Sequence, residues 1–418
     1  MNSANKKIIR WTVRLVLLAC AVVLAVGGPL PIMLARIFPS LSPLASAGAF
    51  IAQQRWYPGL LWAVPPVAML ALGVWKGRLF CRWICPLGTL YALPSGLIAR
   101  KTFLKVRPSA LLFWMIVGAW LVGVPLLLWL DPLATFNRLT PLVRGVWSPA
   151  GLVLGLIVPL MLILGAIQPM IWCTHLCPLG YCFELARSLR RPGPKAAFDQ
   201  TRRSIIAGLL AGVAAAMASR RWLMGEAIAS SANLPILPPG AKNPGHFASV
   251  CTRCYACVNA CPMHIIQVPP PAGRSLLQWF QPELKFTDSA ETPGEGYCDE
   301  TCINCSQVCP TGAIMPLTLR QKRQRLIGTA KVIRPACLAW ADNEYCMVCQ
   351  EHCSYGAILT DESKDYIPRP VVNDKLCRGC GFCQSTCPAI RNGKAIVVCG
   401  INEQTFSDDG YADLFEYD

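Results

Sequence analysis

The sequence predicts a protein in two parts: an α-helical membrane bundle of four helices plus a fifth anchoring helix, then a small α+β domain organised by cysteines. Three observations predict this division. Of 418 residues, 54% are hydrophobic and the mean hydropathy is +0.41, with the apolar excess lying almost wholly before residue 220. A Gly/Ala-rich apolar segment follows Arg202 and Arg203. Beyond residue 250, sixteen cysteines fall in four consecutive runs.

Four long apolar stretches predict the membrane-spanning helices. Each is close to the roughly 20 residues that a spanning helix needs. Pro65 and Pro66 interrupt the second stretch, which a helix bundle tolerates where neighbouring helices satisfy the freed carbonyl groups. The stretches run from about Leu15 to Leu34, Leu60 to Val74, Ala110 to Leu130 and Leu152 to Ile171.

Basic residues predict the orientation of these helices. The amino terminus contains Lys6, Lys7, Arg10 and Arg14 without an acidic residue, and the segment 76–108 is also basic without acids. By the positive-inside rule both segments are cytoplasmic. The net charge of +16 is therefore a signal of topology, and nucleic acid is not an expected partner.

The segment from Thr201 to Ala218 resembles a twin-arginine export signal placed in mid-chain. The alternative is an ordinary fifth membrane helix with basic residues on its inner flank. Both interpretations place the following residues outside a bacterial inner membrane, in the periplasm. We therefore predict a membrane domain over 1–200, an uncleaved anchor helix and linker over 201–244, and a periplasmic cluster domain over 245–418.

Cysteine spacing after residue 250 is typical of iron–sulfur ligands. In C-x2-C-x2-C-x3-C-P, three thiolates bind one cuboidal cluster and the fourth cysteine binds a neighbouring cluster. The first and fourth runs follow this pattern; the second opens with three spacer residues, and the third has eight residues between Cys337 and Cys346 and Ser354 in place of proline. The runs are Cys251, Cys254, Cys257 and Cys261; Cys298, Cys302, Cys305 and Cys309; Cys337, Cys346, Cys349 and Cys353; and Cys377, Cys380, Cys383 and Cys387.

Each run supplies the thiolates for one cluster, so the sequence predicts a ferredoxin-like α+β domain with four [4Fe–4S] clusters. A zinc site prefers isolated cysteine pairs, and a disulfide scaffold has no reason to repeat a four-cysteine spacing. Zinc or disulfides remain the alternatives, more so for the irregular third run.

An internal repeat organises the amino-terminal half. The segment CRWICPLG with Cys81 and Cys85 is repeated 92 residues later as CTHLCPLG with Cys173 and Cys177. A second match, 89 residues apart, relates Ser42-Pro43-Leu44-Ala45 to Asp131-Pro132-Leu133-Ala134. We therefore expect two helical hairpins of one kind, related by a pseudo-twofold axis.

The two C-x3-C-P motifs predict a further site. A spacing of i and i+4 places two thiols on one helical face, and pseudo-symmetry brings the two faces together. Four thiolates at one point suit a fifth [4Fe–4S] cluster; zinc, a redox dithiol and buried unligated thiols stay open as alternatives. The four residues are Cys81, Cys85, Cys173 and Cys177.

These motifs carry a family resemblance. The first half, with its paired C-x3-C-P-L-G motifs, resembles membrane quinol dehydrogenases of the NapH or MauN type. The second half, with CTRCYACVNACP, CINCSQVCPTGAI, CLAWADNEYCMVCQEHC and CRGCGFCQSTCP, resembles exported polyferredoxins of the NapG or MauM type. The extra residue in the second run and the missing proline of the third run depart from the pattern.

The resemblance implies that membrane quinol is oxidised beside the helical half, and that electrons pass along the external clusters to a periplasmic oxidoreductase or cytochrome subunit. Quinol oxidation releases two protons, so an acceptor group is needed. Asp131 is the candidate catalytic residue, with Asn137 and Arg138 nearby. The alternatives are that Asp131 merely caps a helix before Pro132, and that His175 accepts the proton.

Two other functions stay open. The chain could be a maturation or assembly reductase that reduces copper, a disulfide or a cofactor in a periplasmic metalloenzyme, or a structural anchor for a partner enzyme. The pairing of the fourth cysteines is open as well. Adjacent runs exchange their last cysteine in simple ferredoxins, whereas larger four-cluster proteins pair the first run with the fourth and the second with the third.

Overall fold

The computed structural model describes two regions, a helical one before residue 230 and a cysteine-rich one after it. Statements below concern these described residues. They are 3–26, 40–53, 63–97, 107–122, 130–139, 156, 158–165, 168, 170–190, 195–227, 234–270, 278–286, 296–361, 366–389 and 393–407.

The amino-terminal region consists of helices, several of which begin at a proline. Proline suits the first turn of a helix because its φ is already helical and its missing N–H would have no partner there. A π-helical turn over Trp172–Leu176 precedes the last motif cysteine. The helices are α1 (Ser3–Val26), α2 (Pro43–Gln53), α3 (Val64–Lys76), α4 (Leu79–Trp83), α5 (Pro86–Leu97), α6 (Ser109–Leu121), α7 (Pro132–Asn137), α8 (Pro178–Ser188) and α9 (Lys195–Ala227).

The predicted membrane bundle, with its fifth anchor helix, is wrong. In the described part of the chain, no helix combines the length and the apolar character needed to cross a membrane. Helices α3 and α6 have 13 residues each, about 20 Å at the rise of an α-helix, whereas a bilayer core is about 30 Å thick. Parts of the predicted stretches, residues 27–34, 123–129 and 152–155, lie outside the described residues.

The twin-arginine-like segment lies within α9, where Arg202 and Arg203 are exposed. The apolar part of this helix packs along α6 at small residues. A Cβ atom on Gly118 would lie 2.5 Å from the carbonyl oxygen of Leu209, and one on Gly208 would lie 2.6 Å from Cβ of Trp114. The Gly/Ala-rich composition therefore serves close contact between two helices, and its role in export stays a prediction.

The cysteine-rich region contains short helices and three separate antiparallel pairs of strands. Strand β1 pairs with β2 (Ile266 opposite Leu284), β3 with β6 (Gly328 opposite Gly400) and β4 with β5 (Ile358 opposite Val372). The helices are α10 (Pro244–Val250), α11 (Ala256–Ala260), α12 (Asn304–Val308), α13 (Leu319–Gln324), α14 (Val348–Glu351) and α15 (Phe382–Thr386). The strands are β1 (Ile266–Gln267), β2 (Glu283–Leu284), β3 (Gly328–Val332), β4 (Ile358–Asp361), β5 (Arg369–Val372) and β6 (Ile396–Gly400).

Cysteines form much of the core of this region. One buried cluster contains cysteines of the first two runs together with Phe247 and Ile265. A second contains cysteines of the last two runs together with Ile358 and Ile396. Elements this short bury little apolar surface themselves, so groups bound by the cysteines would supply much of the stability.

Arg138 joins the two regions. It follows α7, is 1% exposed, and donates hydrogen bonds from Nε to the carbonyl of Arg253 at 2.8 Å and from Nη2 to the carbonyl of Thr252 at 3.2 Å. Both carbonyls belong to the loop of the first cysteine run. The helical repeat therefore contacts the cysteine-rich region directly at a candidate cluster site.

Candidate iron–sulfur sites

The sixteen cysteines of the carboxyl-terminal region converge in four groups of four. In the first site, Cys309 of the second run lies close enough to three cysteines of the first run to interact with each of them electrostatically. In the second site, Cys261 of the first run lines one cavity of about 340 Å³ with three cysteines of the second run. The first site is Cys251, Cys254, Cys257 and Cys309, and the second is Cys261, Cys298, Cys302 and Cys305.

The last two runs exchange a cysteine in the same way. Cys387 of the fourth run joins three cysteines of the third around a cavity of about 360 Å³. Cys353 of the third run joins three cysteines of the fourth around a cavity of about 340 Å³. The third site is Cys337, Cys346, Cys349 and Cys387, and the fourth is Cys353, Cys377, Cys380 and Cys383.

Each site thus takes three cysteines from one run and the last cysteine of the adjacent run. The extra spacer residue of the second run and the eight residues of the third are accommodated without changing this arrangement. The eight residues contain a π-helical turn over Leu338–Asp342. Four cysteines gathered at each site, with the ligand exchange of dicluster ferredoxins, fit a [4Fe–4S] cluster.

The loops around the first and fourth sites share a backbone that turns twice into the left-handed region. In the fourth run these positions are Gly379 (φ 73°) and Gly381 (φ 82°). In the first run the equivalent positions are Arg253 (φ 54°) and Tyr255 (φ 60°), where a side chain makes this conformation costly. The Tyr255 hydroxyl donates a hydrogen bond to the carbonyl of Phe280 at 3.1 Å, which helps hold the loop in this shape.

Burial keeps the unligated thiols neutral. It raises the pKa of Cys251 to about 11, and the pKa values of Cys254, Cys349 and Cys380 to about 12. Such thiols are poor nucleophiles at neutral pH, whereas a bound metal deprotonates a coordinating thiol. The chemistry of the four sites therefore favours ligation over thiol catalysis.

Backbone and side-chain donors point at the cysteine sulfurs. Backbone N–H groups donate to Sγ of Cys377 from Ala330 at 3.4 Å and to Sγ of Cys353 from Ala357 at 3.2 Å. At the second site, Lys322 is 3% exposed and its Nζ donates to Sγ of Cys298 at 3.2 Å. Burial lowers the pKa of Lys322, but the neighbouring cysteines, Cys298 first, outweigh this and raise it. These donors stabilise negative charge on a cluster and so tune its reduction potential.

The four motif cysteines of the amino-terminal region also converge, at what we call the fifth site. Burial raises the pKa values of all four, and each of Cys81, Cys173 and Cys177 interacts electrostatically with others of the group. Backbone N–H groups donate to Sγ of Cys85 from Gly88 at 3.4 Å and to Sγ of Cys177 from Gly180 at 3.3 Å. The two contacts are equivalent under the repeat, and each lies at a helix start, where the helix dipole favours a thiolate.

Asp131 does not line the fifth site as a free carboxylate. It is 2% exposed and caps α7, with Oδ1 accepting from the backbone of Leu133 at 2.9 Å and of Ala134 at 3.4 Å, and Oδ2 accepting from the hydroxyl of Ser42. Burial raises its pKa. Asp131 therefore caps α7 through Oδ1 and binds Ser42 through Oδ2, and its role as a proton acceptor stays a prediction.

His175 lies in the π-helical turn of the second motif and is 6% exposed. Its Nδ1 is 2.6 Å from Oγ1 of Thr174, and its Nε2 is 3.4 Å from Nε2 of Gln168. Asn137 and Arg138 follow Asp131 closely in the sequence, and both are buried. Arg138 donates a hydrogen bond to the carbonyl of Arg253 in the first-site loop. The structure therefore brings the predicted cysteines together, and Arg138 interacts electrostatically with Asp131 while it donates hydrogen bonds to the first-site loop.

Within the described residues, no group of three or more His, Cys, Asp or Glu side chains meets the geometry of a single bound metal ion. Sequence reasoning also missed Lys322 and Arg253, and it placed Arg138 beside Asp131 without its contact to the first-site loop. Lys322 stands in an ordinary basic segment, and nothing in the sequence distinguishes it from the basic residues around it. Arg253 could have been found, since it occupies the position where the fourth run has Gly379.

Comparison with known families supports iron–sulfur binding in both regions. Residues 250–313 match a family described as a 4Fe-4S dicluster domain. Residues 56–104 and 147–195 match a family described as a 4Fe-4S binding domain, and these two segments contain the paired motifs of the fifth site. No solved structure matches the chain.

Curated relatives are ferredoxin-type proteins. The chain is 32% identical to ferredoxin-type protein NapF of Escherichia coli (strain K12) over 171 residues, which are 41% of this chain and 90% of that protein. It is 30% identical to methylamine utilization ferredoxin-type protein MauM of Methylophilus methylotrophus over 157 residues, 36% of this chain and 65% of that protein. It is 28% identical to ferredoxin-type protein NapG of Escherichia coli (strain K12) over 183 residues, 39% and 72% respectively.

The predicted resemblance to NapG and MauM is thereby confirmed, and NapF is a relative that the motifs alone did not indicate. The resemblance of residues 1–200 to NapH and MauN stays a prediction. Iron–sulfur clusters, metal binding and electron transfer follow from these matches. The chain belongs to the family of [4Fe–4S] ferredoxin-type proteins that includes NapF.

Proposed function

We propose that this chain takes electrons from membrane quinol and passes them, one at a time, through its [4Fe–4S] clusters to a periplasmic oxidoreductase. The observation that carries this proposal is the convergence of sixteen cysteines into four sites that exchange ligands in pairs. Quinol oxidation yields quinone, two protons and two electrons, and each cluster accepts one electron without forming or breaking a covalent bond.

The four sites form a continuous series. Two short helices join the first and second sites. Cys257 of the first site lies in α11, and Cys261 of the second site follows the end of that helix. Cys305 of the second site and Cys309 of the first are placed in the same way on α12. The second and fourth sites are joined where the backbone N–H of Cys298 donates to the carbonyl of Cys380 at 2.7 Å. The fourth and third sites are joined by their exchanged cysteines. We infer the electron order first, second, fourth, third.

The fifth site is proposed as the donor to this series. Asp131 interacts electrostatically with Cys85 and Cys177 and caps α7. Arg138, just after α7, contacts the loop of the first site. One short helix therefore connects the paired motifs to the first site, and this contact supports an electron path from the helical region into the cysteine-rich region.

Partner and location are also proposals. NapF, NapG and MauM are named as ferredoxin-type proteins, and MauM as a protein of methylamine utilization. We propose a periplasmic oxidoreductase as the electron acceptor and a periplasmic location for residues 245–418. A reporter enzyme that is active only after export, fused after residue 418, should be active in cells.

The test of function is anaerobic purification of the full chain, followed by iron counting and reduction by menaquinol and ubiquinol analogues. Four complete clusters require about sixteen irons per chain, and a fifth about twenty. Rapid bleaching of the cluster absorbance by a quinol analogue supports the proposal. Clusters that dithionite reduces but no quinol analogue reduces would contradict quinol as donor, and would favour the maturation reductase or structural role.

A further inference from the structure

The fifth site, Cys81, Cys85, Cys173 and Cys177, is bordered by a buried hydroxyl group. Tyr91 lies in α5 and is 1% exposed. Its hydroxyl has no hydrogen-bond partner among the described residues. The thiols of Cys173, Cys85 and Cys177 lie close enough to act on it electrostatically. An unpartnered polar group therefore borders the site on the side of α5.

A second donor borders the same site, and a third belongs to a residue next to one of its cysteines in the chain. Arg14 of α1 is 3% exposed, interacts electrostatically with Cys173 and Cys85, and has no hydrogen-bond partner at Nε and Nη2 within the described part of the chain. Trp172 precedes Cys173, its ring centroid is 6.5 Å from that of Tyr91, and its Nε1 likewise has no partner there. All three groups can donate a hydrogen bond.

A buried donor without an acceptor costs free energy comparable with a lost hydrogen bond. The two donors that lie near the thiols, on Tyr91 and Arg14, would be stabilised together by one ligand that is rich in acceptors and negatively charged. A [4Fe–4S] cluster bound by four thiolates carries acceptor sulfides and a net negative charge. The donor set therefore fits the cluster that the match to a 4Fe-4S binding domain indicates for these segments.

The internal repeat indicates that packing at the position of Tyr91 does not need a hydroxyl. The equivalent of Tyr91, 92 residues later, is Phe183. Phe183 is fully buried, contacts Gly73, and lies 5.9 Å from Phe80 between ring centroids. The same structural position thus accepts phenylalanine in one copy of the repeat, so the hydroxyl in the other copy serves something besides packing.

We propose that the Tyr91 hydroxyl and the Arg14 guanidinium donate hydrogen bonds to the sulfur atoms of a [4Fe–4S] cluster held by the fifth site, and thereby raise its reduction potential. This rests on the fifth cluster of the proposed function. Reduction adds one electron to the cluster without forming or breaking a covalent bond. Donors and a cation stabilise the more negative, reduced state more than the oxidised state, so both residues act as positioning and tuning groups.

The test is Tyr91→Phe in the full-length chain, purified anaerobically and titrated with dithionite while cluster EPR signals are recorded. We expect unchanged iron and sulfide content, and a potential for one cluster that falls by the equivalent of a tenfold change in its reduction equilibrium, about 59 mV for one electron. Electron–nuclear double resonance after exchange into D2O should show the loss of one exchangeable-proton coupling on that cluster.

Tyr255→Phe is the matched control. It also removes a buried hydroxyl, but that hydroxyl already donates to the carbonyl of Phe280 at 3.1 Å beside the first site. It should leave the potential of the fifth cluster unchanged. Arg14→Gln is the second variant, used also where Tyr91→Phe fails to accumulate; it should lower the same potential, and Arg14→Lys should restore part of it.

Two results would overturn the proposal. One is a fifth cluster whose potential and proton couplings are unchanged in both Tyr91→Phe and Arg14→Gln. The other is a double variant, Cys81→Ser with Cys173→Ser, that loses no iron, because no cluster would then be present for the donors to bind. Neither result affects electron transfer through the other four sites. Failure of quinol analogues to reduce the clusters would contradict the proposed donor but not the dithionite titration.

Discussion

The hydroxyl of Ser42 donates a hydrogen bond to Oδ2 of Asp131, and these two residues are equivalents in the internal repeat, 89 positions apart. Each also caps its own helix: Ser42 Oγ accepts from the backbone of Ala45 at 3.3 Å, and Asp131 Oδ1 accepts from that of Leu133 at 2.9 Å. The starts of α2 and α7 therefore meet at the axis that relates the two copies. Two ionised aspartates at these equivalent positions could not hydrogen-bond to each other, because neither has a proton to donate. The serine in the first copy supplies that donor.

The first prediction concerns this pair. Ser42→Ala should lower stability by about 1 to 2 kcal/mol, because it removes a cap and leaves a buried carboxylate oxygen without a donor. Ser42→Asp should be more damaging, since it places two carboxylates together in a buried position. The midpoint of thermal unfolding of the iron-loaded chain measures both. Ser188→Ala, which removes an exposed hydroxyl that donates to the carbonyl of Leu185, should leave the midpoint unchanged.

The second prediction concerns pH. Because burial raises the pKa of Asp131 in the folded state above its ordinary value of 3.8, the native state binds the proton more tightly than the unfolded state. The stabilisation is therefore full below pH 3.8 and is lost as pH rises through the higher folded-state pKa. Asp131→Asn should flatten the fall in stability that accompanies ionisation of this carboxyl as pH rises above 3.8. A variant with the same pH dependence as the native chain would show that Asp131 ionises normally.

The third prediction concerns ligand exchange. Cys309→Ser should remove or damage the cluster of the first site, although Cys309 belongs to the second run, and Cys261→Ser should damage that of the second site. Each change should cost between about one and about four irons per chain and give the EPR signal of a different cluster. Cys399→Ser, a cysteine outside all five sites, is the control. Damage at the fourth site from Cys261→Ser would show instead that the first run pairs with the fourth.

The fourth prediction concerns Lys322. Its buried ammonium group donates to Sγ of Cys298 at 3.2 Å, so Lys322→Gln should make the potential of the second cluster more negative, by roughly 60 mV if the equilibrium changes tenfold. EPR-monitored redox titration resolves this shift. Lys331→Gln removes an equal charge from an exposed position on β3 and should change no potential. Equal shifts in both variants would indicate a general effect of net charge.

The cysteine spacing predicted most of the candidate sites, because a cluster loop is a local structure whose three ligands come from a few consecutive residues. The internal repeat likewise predicted that Cys81, Cys85, Cys173 and Cys177 meet. The roles of Tyr91 and Lys322, and the contact of Arg138 with the first-site loop, could not be predicted. A single polar residue near a ligand only in space leaves no periodic trace in the sequence, and its partners are set by the packing of distant elements.

The amino-acid sequence by itself determined the number of thiolates, their division into runs and the repeat of the helical half, since these depend only on residue identity and local spacing. The tertiary structure decided that adjacent runs exchange their last cysteine, that Asp131 is a cap, and that Arg138 binds the first-site loop. It also decided against the predicted membrane bundle, since no helix of the described residues is both long and apolar enough to span a membrane. The apolar content of a stretch does not by itself set where a helix begins and ends. Contacts between segments far apart in sequence depend on the free energy of the whole packed chain.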